Sequence, residues 1–201
     1  MADHAHDVQR RAHLLHRVEV LGIRGPLPAE AVEDGVAGHV LHAPDLYDGK
    51  TFSDLEEGVG YAKEIGFDTF TERGRLAAED LPNDIVYAGF SLGAMPAQML
   101  AQARPGAKGA LLFHSCFPPE EFGGPWPEGV PVQIHIMEED EWALEGDLDA
   151  ARQLDETVES AELFVYPGDR HLFTDESLPA YDEAAAGLVK QRVLSFLGDP
   201  R

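Results

Sequence analysis

Short apolar runs alternate along this chain with longer stretches of helical period, and that alternation constrains the fold more than any other feature. Runs of four to eight residues are strand-sized. Segments of ten or more with apolar residues three and four apart are helix-sized, and the two in alternation form βαβ units with a largely parallel sheet. The expected strands are Leu14–Val20, His39–His42, Ile85–Phe90, Gly109–His114, Val130–Met137 and Leu163–Tyr166. The expected helices are Leu27–Val36, Asp54–Ile65, Thr71–Glu79, Leu92–Ala103, Glu145–Glu159 and Ser177–Leu197. Ser53 with Glu56 reads as a capping box opening one helix. Ala180, Ala184, Leu188, Val189, Val193 and Phe196 form one apolar stripe on the last. Pro82, Pro105 and Pro167 fall between elements, where they punctuate without breaking them. The reading is a doubly wound sheet with helices on both faces. Residues 1–201 form one domain, with residues 1–12 expected to be a mobile tail. Such sheets bind ligands at the carboxyl ends of their strands.

Composition narrows the function. The chain has 201 residues, with 15 Lys plus Arg against 37 Asp plus Glu, for a net charge of −22. That balance opposes nucleic-acid backbones and anionic lipid alike, so neither a nucleic acid nor a membrane is expected as partner. No apolar run approaches the roughly 18 residues that span a bilayer. The first 20 residues carry His4, His6, Arg10, Arg11, His13, His16 and Arg17 and lack the apolar core of a secretion signal, so a cytoplasmic location is expected. The single cysteine, Cys116, excludes an intrachain disulfide framework and reads as a small core residue. The four early histidines lack a matched carboxylate or cysteine set, so no metal and no cofactor is expected.

Gly89-Phe90-Ser91-Leu92-Gly93 carries the chemistry. It follows a strand (Ile85–Ala88) and precedes a helix-forming run, which is the context of a nucleophile elbow. A sharp strand-to-helix turn lifts the Ser91 hydroxyl to the sheet edge. Glycines at 89 and 93 leave room where strand and helix close on each other. The Leu92 N–H then faces the position of a developing oxyanion. Serine is a weak nucleophile without a base and an orienting acid, and in this chain order the acid and then the histidine follow the serine. His171 follows a strand and the turn Pro167-Gly168-Asp169, so it is the expected base. His135 lies inside a strand and reads as a hydrogen-bonded core histidine. Asp140, in the acidic turn Glu138–Glu141, is short enough to hold an imidazole rigidly and is the expected acid.

These residues together resemble the dienelactone hydrolase family of α/β-hydrolases. The resemblance rests on Pro44-Asp45-Leu46-Tyr47, the Gly89–Gly93 turn, the run His135 to Asp140 and the run Tyr166 to Phe173, and extends from about Val18 to Leu197. It implies an α/β-hydrolase fold without a large cap domain and a small ester or lactone substrate. It also implies a second oxyanion donor at the N–H of Val20, on a loop two residues before Gly22. Glu19 beside it is implied as a contact of the nucleophile. The name-giving enzymes carry cysteine in the elbow where this chain has Ser91, so a serine acyl-enzyme is expected here. Residues 8–38 fit the family pattern poorly, because His13, His16 and Arg17 interrupt a strand that should be buried.

Tyr47, Trp126 and Phe173 are candidate pocket walls, with Trp126 alternatively a cover on the sheet edge. Arg73, Arg75 and Arg170 are either anchors for an anionic substrate or surface charges. The functional expectation is a serine hydrolase, monomeric or homodimeric. The alternative is a catalytically impaired α/β-hydrolase fold that binds a small molecule without turning it over.

Overall fold

A computed structural model describes residues 18–22, 32–33, 40–52 and 54–198. The expected tail at 1–12 lies outside them. In chain order the strands are β1 (Val18–Gly22), β2 (Val32–Glu33), β3 (Val40–His42), β4 (Ile85–Phe90), β5 (Gly109–Phe113), β6 (Val132–Met137) and β7 (Ala161–Tyr166). The helices are α1 (Leu55–Ile65), α2 (Phe67–Ala77), α3 (Ala94–Ala103), α4 (Asp147–Thr157) and α5 (Glu183–Leu197). The seven strands form one sheet in the order β2-β3-β1-β4-β5-β6-β7.

From β4 to β7 every pairing is parallel, so four consecutive carboxyl ends meet at one edge. Strands β4, β5 and β6 are buried on both faces, as a parallel sheet covered by helices requires, while β7 is a partly exposed edge. Alternate residues serve opposite faces. Tyr87, Leu112, Ile134 and Ile136 pack with Phe70, Leu100 and Leu154 under α2, α3 and α4. Val86, Ala88, Leu111 and Phe113 pack with Phe173, Ala185 and Val189 on the α5 side. Helix α3 reaches the sheet through small residues, Ala94, Ala97 and Ala101, all fully buried. It also lies close to α2, where a Cβ on Gly74 would come within 2.5 Å of Pro96.

Several expected boundaries move for local reasons. The cap of α1 is Asp54, whose carboxylate accepts from Glu57 N–H, while Ser53 lies outside the described residues. Helix α2 begins at Phe67, four residues before the expected Thr71, because Gly66 at φ +88° ends α1 and turns the chain directly into α2. Helix α5 begins at Glu183, not Ser177. Asp182 caps it by accepting from Ala185 N–H, and turns at Ser177 and Asp175 occupy the residues before it. Within the expected helix Leu27–Val36 the described pair Val32–Glu33 is a strand paired to β3, and the remainder lies outside the described residues.

Candidate active site

The four parallel strands each deliver a polar side chain to the shared carboxyl edge. Ser91 follows β4, His114 and Ser115 follow β5, Asp140 follows β6, and His171 follows β7. Ser91 has φ +51°, a left-handed conformation that costs a non-glycine residue on the order of 1–3 kcal/mol. The strand and helix around it approach so closely that a Cβ on Gly89 would lie 2.1 Å from the Gly93 carbonyl oxygen.

The loops carrying Asp140 and His171 are fixed by extending the β6–β7 ladder past both strands. Glu138 N–H donates to Tyr166 O at 2.8 Å, and Glu139 N–H donates to Gly168 O at 2.8 Å. Asp140 therefore leaves the ladder beside the segment leading to His171. Its carboxylate is fully buried. It accepts from His171 Nδ1 at 2.7 Å through Oδ2 and from Trp142 N–H at 3.1 Å through Oδ1. His171 Nε2 lies 2.8 Å from Ser91 Oγ. With the carboxylate accepting a hydrogen bond from Nδ1–H, Nε2 is left as the acceptor for the serine hydroxyl. The expected residues 91, 140 and 171 are thus brought into one line of hydrogen bonds. Leu92 takes the next position after Ser91, in the tight turn that runs into α3.

The expectation at Val18–Gly22 is not met. Val20 lies inside β1, paired with Tyr87 on one side and His42 on the other, and not on a loop. Tyr87 precedes Ser91 by four residues, about 13 Å along an extended strand, so the Val20 N–H is far from any oxyanion on Ser91. Glu19 pairs with Ala88, and its side chain lies outside the described residues.

The three expected pocket walls are core residues. Tyr47 is 3% exposed and packs edge-on against Phe52 and Phe70. Phe173 is fully buried against Tyr166 and His114. Trp126 donates its indole N–H to Val130 O at 2.7 Å and lines a cleft with Val158 and Ser160, at the amino edge of β6 and β7, opposite Ser91, Asp140 and His171. Its edge-cover alternative is the one observed. The aromatic residue beside the site is Trp142, 5.8 Å from the His171 ring and 38% exposed. Arg73 donates to Leu46 O, Arg75 pairs with Glu72 and Glu79, and Arg170 donates to Tyr181 O and lies by Asp182. All three are engaged in structural contacts.

The other titratable groups sort by environment. His135 is a core histidine, hydrogen-bonded to Tyr166 Oη and Gln133 Oε1 and stacked between Phe113 and Phe164. Burial, with Arg192 nearby, lowers it to about 3. Burial lifts the Cys116 thiol to about 12, which removes it as a nucleophile near neutral pH. Two groups at the site gave no clear sequence signal. His114 is fully buried, held well below the usual histidine range by burial and then by the neighbouring His171 and His135. Asp147, the first residue of α4, accepts from Ser115 Oγ. Burial raises it to about 6 against the counter-effects of Ser115, Cys116 N–H and His171. Both sit where a strand end or a helix start reads from sequence as ordinary punctuation. Among the described residues no group of histidine, cysteine and carboxylate side chains is arranged to hold a metal, and no helix is long and apolar enough to cross a membrane.

Comparison with known proteins agrees with the fold. A protein from Klebsiella pneumoniae subsp. pneumoniae MGH 78578, assigned as a dienelactone hydrolase, is 18% identical over 78% of this chain and 73% of its own, with a TM-score of 0.58. A dienelactone hydrolase-like promiscuous phosphotriesterase from metagenomic libraries is 16% identical over 90% of this chain and 96% of its own, with a TM-score of 0.59. A third structure, m3DLH, is 20% identical over 79% of this chain and 73% of its own, with a TM-score of 0.58. No match was found among curated proteins. The sequence profile of the dienelactone hydrolase family matches residues 35–200, starting near the end of the segment 8–38 that fits the family poorly. The chain therefore belongs to the dienelactone hydrolase family, with an α/β fold and no large cap.

Proposed function

We propose that this hydrolase-family protein cleaves a carboxylic ester or lactone through an acyl-enzyme on Ser91. The observation that carries the reading is the unbroken line Ser91 Oγ, His171 Nε2, His171 Nδ1, Asp140 Oδ2, with links of 2.8 and 2.7 Å. His171 takes the hydroxyl proton as Ser91 Oγ bonds to the carbonyl carbon. Asp140 holds the imidazole tautomer and stabilises the imidazolium that forms. The Leu92 N–H, at the start of the turn into α3, donates to the oxyanion. As the tetrahedral adduct collapses, the alcohol oxygen leaves with the proton from His171. A water molecule then gives its proton to His171 and attacks the acyl carbon, and collapse of that adduct frees the acid as Ser91 Oγ takes the proton back from His171. Residues 1–201 act as one domain on a small-molecule substrate, with no cofactor required.

A fluorophosphonate probe and a p-nitrophenyl acetate assay test this together. Stoichiometric labelling lost in Ser91→Ala, with ester turnover lost in His171→Ala, supports the enzyme. Folded protein that takes no label and turns over no ester supports the binding-only alternative instead. A panel of short esters, lactones and thioesters, with one phosphotriester added because of the metagenomic neighbour's activity, then ranks the substrate classes.

A further inference from the structure

Among the described residues, three of the four non-glycine residues with positive φ lie at the site: Ser91, His114 at +66° and Leu172 at +59°. Strain at Ser91 belongs to the turn that presents the nucleophile, and Leu172 adjoins the base. His114 has no part in the proton relay, yet it is fully buried and strained. Backbone strain persists where the surrounding structure over-determines it, so His114 requires a reason.

Its contacts supply one. The main-chain N–H of His114 donates to His135 O at 2.8 Å, extending the β5–β6 pairing to the sheet edge. Its side-chain Nε2 lies 2.9 Å from Thr174 Oγ1, three residues after His171. Its ring stands edge-on to the His171 ring at 5.6 Å and to Phe173 at 4.8 Å. Nδ1 is buried with no hydrogen-bond partner among the described residues, so Nε2 is the ring atom that ties His114 to its surroundings. The next residue, Ser115, donates through Oγ to Asp147, the first residue of α4.

We propose that His114 is a positioning residue that clamps the base-bearing loop to the end of β5 through Thr174, and so sets the place of His171 against Ser91. The inference rests on the proposed roles of Ser91 and His171. Burial keeps the clamp neutral. A charged ring so close to His171 would oppose the imidazolium that forms during proton transfer.

The substitutions His114→Phe, His114→Gln and Thr174→Val test it, read by the rate of fluorophosphonate labelling, by kcat and KM for p-nitrophenyl acetate, and by hydrogen exchange of residues 167–175. Loosened positioning costs rate steeply, so Thr174→Val and His114→Phe should each lower kcat and labelling by about tenfold or more with KM little changed. His114→Gln, whose amide reaches toward Thr174, should recover most of the rate. The His114→Phe, Thr174→Val double variant should be no worse than the slower single, and exchange in 167–175 should quicken in both singles. A packing role reverses the order, with Phe tolerated and Gln harmful, and that result overturns the proposal. So do unchanged rates, or losses that multiply in the double variant. If His114→Phe fails to fold, Thr174→Val carries the test alone. Wild-type protein without label or turnover defeats the serine hydrolase reading, and the exchange measurement still decides the clamp: unchanged exchange in 167–175 overturns it.

Discussion

Gly89→Ala bears on whether the strand-to-helix turn sets the nucleophile. The added Cβ would lie 2.1 Å from Gly93 O, 2.4 Å from Gly93 C and 2.6 Å from Ala94 N, where ordinary contact begins at 3.4 Å. All three atoms are backbone, so no side-chain rotation relieves the overlap. The turn carrying Ser91 must open by more than 1 Å at its tightest point. The Ser91 Oγ to His171 Nε2 hydrogen bond is 2.8 Å, and a shift of about 1 Å at Ser91 takes it out of range, a misplacement that costs roughly 100-fold in rate. Overpacking of this kind also costs about 1–3 kcal/mol or more of stability. The assay is steady-state hydrolysis of p-nitrophenyl acetate on protein shown to be folded by circular dichroism, alongside thermal unfolding. Folded Gly89→Ala protein with wild-type kcat and an unchanged Tm would show that the close approach at Gly89 does not set Ser91.

Asp140→Asn should lower kcat by about 10⁴-fold with little change in fold, because an amide presents the imidazole with the wrong tautomer; kcat with circular dichroism checks it. Asp147→Asn should alter the pH dependence of stability. Asp147 titrates at about 6 when folded and has an ordinary value of 3.8, so folding takes up a proton between these values. Wild-type stability then falls as pH rises from 4 to 6, by at most about 3 kcal/mol, and levels off above. Melting curves across pH 4–8 should show that slope reduced in the variant. Trp126→Ala should cost about 3–5 kcal/mol of stability and leave kcat/KM of the folded fraction near wild type, since the indole caps the far edge of the sheet; urea unfolding with parallel kinetics checks both.

Much of the fold from Ile85 to Tyr166 was legible because apolar periodicity and burial coincide there. Strands β4 to β6 are near-continuous apolar runs, as a sheet covered on both faces demands. Residues 91, 140 and 171 were legible because each sits directly beyond a strand, at an edge the topology makes common. What sequence could not carry was register and cross-chain contact. Val20 misled because the order of residues in a short apolar run does not fix its direction in a sheet, and β1 runs antiparallel to β4. Aromatic character alone did not separate Tyr47 and Phe173, which fill the core, from Trp142, which reaches the site. His114 and Asp147 hydrogen-bond to residues 60 and 32 positions away, and such pairings leave no local pattern.

The proposed reaction passes through a covalent acyl group on a single side chain, Ser91. Acid quenching of the enzyme during p-nitrophenyl acetate turnover, followed by peptide mass mapping, tests it most directly. One acetyl group on Ser91, absent in Ser91→Ala and scarcely formed in His171→Ala, is the result expected. An acetyl group on another residue, or undiminished turnover by Ser91→Ala, would rule out Ser91 as the nucleophile.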